Sequence, residues 1–279
     1  MSEVTLMLLP EDFFDLQEYE HGDVFQPDAP VWTALDRLPA YIASFFNRTW
    51  PLFNYVGTVD RPLVIIGSTV RNDLDIRPSG ANNVVQAFEG ESLVENAAII
   101  MPGAYLFDNR IIVGPRTVIE PGVLIKGPTI LGADTKVRQG AYLRGNCLIG
   151  NRCVVGHTTE IKGSIMMDGA KAGHFAYIGD SILGKDVNLG AGTKLANLKI
   201  IPGPITIAAN RKHYKTNRRK LGAILGDRTE TGCNSVASPG TLMERDSIVF
   251  PCTAVPGGYY PRKSNIRPSP PCIEIGDSR

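Results

Sequence analysis

Four residues near the middle of the chain have types and spacings that could do chemistry. Arg144 and Lys162 stand 18 positions apart, and His157 and His174 stand 17 apart. Two cations held side by side repel each other unless an anion or an acidic partner sits between them, and a phosphate is the natural occupant. An imidazole, with an ordinary pKa of about 6.5, can take up a proton near neutral pH and so suits a general base. Two histidines held together could equally serve a metal. The chain has four histidines. The other two, His21 and His213, lie far from the pair in sequence, which leaves a three-histidine metal site only between subunits, and no metal is expected. All of this requires that positions about 18 apart become neighbours in space, so the elements between them decide the matter.

Those elements repeat. Val113, Ile119, Ile125, Leu131, Val137, Leu143, Ile149, Val155 and Ile161 are each six residues apart. A five-residue step leads to Met166, Ala172 and Ile178, and another to Leu183, Leu189 and Leu195. The series returns as Leu225, Thr231, Ala237, Met243, Val249 and Val255. Small residues, often Gly, follow many of these positions. A period of six matches no helix and is too long for the alternation of one strand. It fits a short strand plus a corner, three to a coil, with each inward aliphatic stacked on its counterpart one coil on. The expected fold is therefore mainly β, a parallel β-helix of hexapeptide repeats with a small, partly helical N-terminal appendage.

The period assigns faces. Val113, Leu131, Ile149, Met166 and Leu183 share the first, while Ile119, Val137, Val155, Ala172 and Leu189 share the second. The third holds Ile125, Leu143, Ile161, Ile178 and Leu195. Arg144 and Lys162 each follow a third-face aliphatic by one residue, so they project outward from consecutive coils whose strands lie about 4.8 Å apart. His157 and His174 each sit two residues past a second-face position, on one corner, and His174 leads into the strand of Tyr177 on the third face.

Around the repeat the chain divides into an appendage with lead-in strands (1–92), the repeat (93–256) with a basic loop at 196–224, and a tail (257–279) rich in Pro, Arg and Ser, expected to be a strap or disordered. In the appendage, Glu11 to Leu16 opens like a short helix, and Val31 to Arg48 carries apolar residues at helical spacing with Pro39 inside. Its aromatics, Trp32, Tyr41, Phe45, Phe46 and Trp50, suit docking or core. The loop brings Lys199, Arg211, Lys212, His213, Lys215, Arg218, Arg219 and Lys220, either as solvated charges or as an anion clamp.

Lys and Arg total 29 against 28 Asp and Glu, a net charge of +1, so no global field points to nucleic acid or an anionic membrane as partner. No apolar run approaches the roughly 18 residues that would span a bilayer, and the start, Met-Ser-Glu-Val, has no signal-peptide pattern. A cytoplasmic protein is expected. Five cysteines without CxxC spacing suit reduced thiols.

With these residues in place a family likeness is visible. Glu160-Ile-Lys162, Ala170 to Asp180 (Ala-Lys-Ala-Gly-His-Phe-Ala-Tyr-Ile-Gly-Asp) and Val187 to Thr193 (Val-Asn-Leu-Gly-Ala-Gly-Thr) resemble the acetyltransferase domain of a bacterial bifunctional enzyme. That enzyme is the glucosamine-1-phosphate N-acetyltransferase and N-acetylglucosamine-1-phosphate uridyltransferase. The resemblance implies a left-handed coil, against the usual right-handed crossover, and a homotrimer. It implies an acetyl-CoA-dependent N-acetyltransferase acting on an amino-sugar phosphate, in nucleotide-sugar biosynthesis for the cell envelope.

By that likeness His174 is the general base and Asn197 assists at the reacting centre. Arg144 and Lys162 hold the sugar phosphate, and Tyr177 and Asn188 contact the sugar. Cys233 takes the place of a serine that contacts the coenzyme, and Lys215 or Arg219 of the basic loop could meet the coenzyme's phosphates. The sequence departs from the family where Leu198 replaces the Tyr-Asp-Gly after the second asparagine, and where the connecting loop is much longer. The Gly-rich start of a uridyltransferase half is missing, so no nucleotidyl transfer is expected. Lys220 to Asp227 with Ser238 to Thr241 also resembles the hexapeptide tails of sugar-phosphate nucleotidyltransferases. That keeps open a non-catalytic, regulatory module that binds a sugar phosphate or sugar nucleotide.

Overall fold

The computed structural model describes residues 8–46, 55–79, 84–209 and 212–268. The expected helix end at Arg48, the Trp50 ring, Arg211 and the tail beyond 268 lie outside them. The repeat winds as a parallel β-helix with three sheets, one per face. Pairing follows the count residue by residue. On the first face Val113 pairs with Leu131, then Ile149, Met166 and Leu183 in succession. Ile119 pairs onward through Val137, Val155, Ala172 and Leu189 on the second. The third runs Ile125, Leu143, Ile161, Ile178, Leu195. These side chains and their counterparts in later coils fill the prism as one buried core. Leu183 pairs directly with Leu225, Leu189 with Thr231 and Leu195 with Ala237, so the segment between is an insertion that leaves the register intact.

Close stacking of coils explains the glycines. A Cβ on Gly114 would lie 2.5 Å from the carbonyl carbon of Gly132, and one on Gly132 would lie 2.5 Å from that of Gly150. At the neighbouring corner a thread of hydrogen bonds satisfies buried polar groups. Thr117 Oγ1 donates to the Gly132 carbonyl at 2.6 Å and accepts from the Thr135 N–H at 3.0 Å. The two five-residue steps shorten the corner between the third and first faces. Where a six-residue step uses Gly145 and Asn146, both with positive φ, the shorter steps leave a single left-handed residue, Gly163 in one coil and Asp180 in the next.

The exterior of the first face is covered. Ile112, Ile130, Leu148, Ile165, Ile182, Ile224 and Leu242 point outward and are buried in a second core with Phe13, Phe14, Trp32, Leu35, Leu38 and Ile42 of the appendage. The appendage contains the short helix Pro10–Phe13 and the helix Ala34–Phe46, which continues unbroken through Pro39. At the N-terminal end of the coil, Leu63–Ile66 and Gly57–Thr58 pair antiparallel with Ala98–Ile100 and Tyr105–Leu106. This caps an edge that would otherwise offer unpaired backbone groups.

One segment differs from expectation. Gly258–Tyr260 and Asn265–Ile266 pair in parallel with Thr241–Met243 and Ile248–Val249, so the coil continues past 256 into the tail. The basic loop contains a hairpin, Thr206–Ala209 with Lys212–Lys215. Alternation along it buries Ile205, Ile207 and Ala209 in the second core and leaves Lys212 and Lys215 exposed. No described helix is long and apolar enough to cross a membrane.

Candidate active site

Third-face strands alternate inward and outward residues. Leu143 and Ile161 are buried partners in adjacent coils, and Arg144 and Lys162 follow them outward as counted. Each cation holds a carboxylate of this chain. Arg144 Nη1 lies 2.7 Å from Glu160 Oε1, and Lys162 Nζ lies 3.1 Å from Asp180 Oδ2. An acidic partner therefore answers the repulsion that the stacking alone would create.

Asp180 is the hub of this region. Its Oδ2 accepts from Lys162 Nζ and, at 2.5 Å, from Asn197 Nδ2, while Arg218 Nη2 stands 3.9 Å from its Oδ1. Arg218 also pairs with Asp36, which ties the insertion to the appendage helix. Tyr177 donates its hydroxyl to Asn197 Oδ1 at 3.4 Å. The two side chains close over Gly179, where a Cβ would come within 2.6 Å of Asn197 Nδ2 and 2.7 Å of the Tyr177 oxygen. The shortened corner sets Asp180 where Lys162 reaches it, and the glycine lets Tyr177 and Asn197 lie flat on the strand.

His174 is exposed on the corner between the second and third faces and stacks in register on His157. The His157 Nδ1–H donates to the Gln139 carbonyl at 2.9 Å, which fixes that ring. The ring of Phe175, at φ 53° on the corner, lies 5.3 Å from His157 and 6.2 Å from His174. Among the described residues the His174 imidazole has no hydrogen-bond partner. Just past the corner a groove of about 350 Å³ is lined by Phe175, Tyr177, Lys194, Asn197, Leu198 and Val236. Two and three residues past Leu198, Ile200 and Ile201 stand 100% and 77% exposed.

The fold thus brings together Arg144, Lys162, Tyr177 and Asn197, with His174 at their edge. It does not bring Asn188, Cys233, Lys215 or Arg219 to that face within one chain. Asn188 is exposed on the second face, between Lys171 and Glu230 of the adjacent coils. Cys233 is exposed just past second-face Thr231, in the coil that carries Glu230. Lys215 belongs to the hairpin whose partner strand packs over the first face, and Arg219 is exposed beyond it. Two members of the network, Asp180 and Arg218, were not among the expected site residues. Asp180 sits inside the motif of His174 and was legible as a carboxylate beside a cation column. Arg218 arrives from an insertion that no period reaches. No group of three or more His, Cys, Asp or Glu side chains is placed to hold a metal ion among the described residues.

Fold and site together define a hexapeptide-repeat β-helix protein with a polar network on one open face. The model of the family described as the GMPPB C-terminal domain, a left-handed β-helix, matches residues 125–227. The bifunctional sugar-1-phosphate nucleotidylyltransferase/acetyltransferase of Sulfurisphaera tokodaii is 30% identical over 175 residues, covering 56% of this chain and 44% of that protein. The bifunctional protein GlmU of Methanococcus vannielii is 39% identical over 109 residues, 39% of this chain and 26% of that one. The chain spans less than half the length of these relatives. The resemblance to the bifunctional acetyltransferase and uridyltransferase family is borne out over the C-terminal part of the chain. In the solved acetyltransferase domain of PglB from Neisseria gonorrhoeae, 14% identity and a TM-score of 0.27 over 56% of this chain and 55% of that one are too slight to bear on the site.

Proposed function

We propose that the protein is an acetyl-CoA-dependent N-acetyltransferase acting on an amino-sugar phosphate, with glucosamine-1-phosphate as the first substrate to test. The observation that carries the reading is the stacked pair Arg144 and Lys162 on the open third face, with the Asp180, Asn197 and Tyr177 network beside it and His174 on the adjoining corner. Arg144 and Lys162 hold the phosphate. Tyr177 lies against the sugar, and Asn188 completes the sugar site. Because Asn188 lies on a different face of its own chain, the complete site forms between neighbouring copies of a homotrimer. There the second face of one subunit meets the third face of the next, and the exposed Leu198, Ile200 and Ile201 lie at that boundary.

In the reaction the sugar ammonium gives up one proton to solvent to become the free amine, and His174 takes a second from the nitrogen as it attacks the thioester carbonyl. The C–N bond forms, the C–S bond breaks, and the departing thiolate recovers the proton from the imidazolium. General-base help of this kind contributes about 10²–10⁴-fold. Asn197 has its amide engaged by both Asp180 and Tyr177, which supports a positioning role over direct contact with the acetyl oxygen. Cys233, Lys215 and Arg219 are the groups of this chain that would meet the coenzyme, approached from a neighbouring copy.

The test is coenzyme A release from acetyl-CoA with glucosamine-1-phosphate and a panel of other amino-sugar phosphates, for the wild type and His174→Ala. Release by the wild type, reduced at least 100-fold in the variant, is expected. A second reading, a regulatory module that binds a sugar phosphate without chemistry, is favoured by the absence of an orienting partner for the His174 ring among the described residues. Sugar-phosphate binding with no release across the panel would establish that second reading and exclude the first.

A further inference from the structure

The cation column on the third face does not stop at Arg144. Lys126 pairs with Arg144 in the strand register, one coil toward the N-terminus, so Lys126, Arg144 and Lys162 form a column of three spanning about 10 Å. The three differ in company. Arg144 and Lys162 each hold a carboxylate, whereas Lys126 has no carboxylate partner among the described residues. Its ammonium lies instead between two rings, 4.6 Å from the centroid of Phe107 in the preceding coil and 5.6 Å from that of Tyr142 in the next. Cation–π contacts of this kind hold a lysine without neutralising it. Phe107 and Tyr105 stand beyond it on the same face, 52% and 39% exposed. Large aromatic rings left in water on a β-sheet, next to an unneutralised cation, make a surface on which a flat base can stack while its phosphates meet positive charge.

We infer that the outer third face, from Tyr105 through Lys126 to Arg144, binds a nucleoside diphosphate. The sugar-bearing phosphate lies against Arg144 and Lys162, the second phosphate against Lys126 and Arg144, and the base against Phe107 and Tyr105. The substrate class that follows is an amino sugar carried on a nucleoside diphosphate, with the sugar directed down the column toward Tyr177 and His174. This rests on the proposed acetyl transfer for the identity of the amino group, but the binding site stands or falls separately.

The experiment is calorimetric titration of the full chain with UDP, GDP, UMP, inorganic phosphate and glucosamine-1-phosphate. It is repeated with Lys126→Ala, with Phe107→Ala, and with Lys126→Arg as the charge-preserving control, each checked for an unchanged melting temperature. The expected result is that UDP or GDP binds at least tenfold more tightly than inorganic phosphate. Lys126→Ala and Phe107→Ala each weaken that binding at least tenfold, Lys126→Arg largely restores it, and glucosamine-1-phosphate affinity is unchanged by Lys126→Ala. Nucleoside diphosphates that bind no more tightly than phosphate, or that ignore Lys126→Ala, overturn the inference and leave the acetyl-transfer reading untouched. A short oligonucleotide that binds more tightly than any free nucleotide, with steep salt dependence, overturns it in favour of single-stranded nucleic acid. Nucleotide binding that depends on Lys126 without coenzyme A release upholds the site and removes only the transfer reaction.

Discussion

The first and third faces of the prism are built on one period and carry opposite exteriors. On the first face the residue before each inward aliphatic is itself apolar, from Ile112 through Ile130, Leu148, Ile165 and Ile182, and the appendage and the insertion hairpin bury the whole column. On the third face the flanking positions hold Tyr142, Arg144, Glu160, Lys162 and Tyr177, and none of them is fully buried. The same backbone serves as a wall on one side and as an array of chemical groups at fixed spacing on the other. Adding coils lengthens both, so the distance between functional groups on the third face is set by strand stacking and not by side-chain packing.

The comparison is broken most severely by opening the wall. Ile165 is fully buried between the prism and the appendage, and Ile165→Ala is expected to cost about 2–5 kcal/mol, read as a fall in denaturation midpoint. Below its melting temperature the variant keeps its affinity for glucosamine-1-phosphate, since the third face is supported by the inner core. A variant that melts normally would mean that the appendage does not hold that column.

A smaller effect comes from the same interface through pH. His21 is buried against Tyr19, Tyr41 and Phe45, with its Nδ1 hydrogen-bonded to the Tyr41 hydroxyl at 3.0 Å. Burial pushes its imidazole below the ordinary 6.5, against the smaller opposing pull of Glu20 and Asp168. In the window below about 6.5 the unfolded chain takes up a proton that the folded chain refuses. Stability is therefore full above that pH, and falls as the pH drops toward the folded-state value. Melting temperatures measured from pH 8 to 5 should show this fall, and His21→Gln should flatten it.

The smallest effect belongs to the corner ladders. Arg228 Nε lies 2.6 Å from Asp246 Oδ1, and Arg228 with Arg262 draws the Asp246 carboxyl down to about 2. The arginines are half exposed, so Arg228→Ala is expected to cost no more than about 1 kcal/mol. A larger loss in chemical denaturation would show that the ladders, and not the cores, set the stability of the coil.

The count of six made the interior legible to the residue, because inward side chains in a stacked coil have no freedom except register. It also placed Arg144 beside Lys162 and His157 beside His174. The covered exterior was visible too, in the doublets such as Ile112-Val113 and Ile165-Met166, but the count followed one residue of each pair. What a period cannot carry is anything that arrives out of step. Arg218 reaches Asp180 from an insertion, whereas Asp180 itself sits on the five-residue step that the count records between Ile178 and Leu183. The tail beyond 256 continues the coil through Tyr260 and Ile266, aromatic and isolated residues that look unlike the repeat before them.

The central claim is that the third face holds a sugar phosphate through its stacked cations. It is tested most directly by titrating glucosamine-1-phosphate into the wild type and the double variant Arg144→Ala with Lys162→Ala while recording both melting temperatures. Affinity lost by tenfold or more, with a melting temperature shifted only slightly, is the predicted result. Unchanged affinity in the double variant would contradict the account.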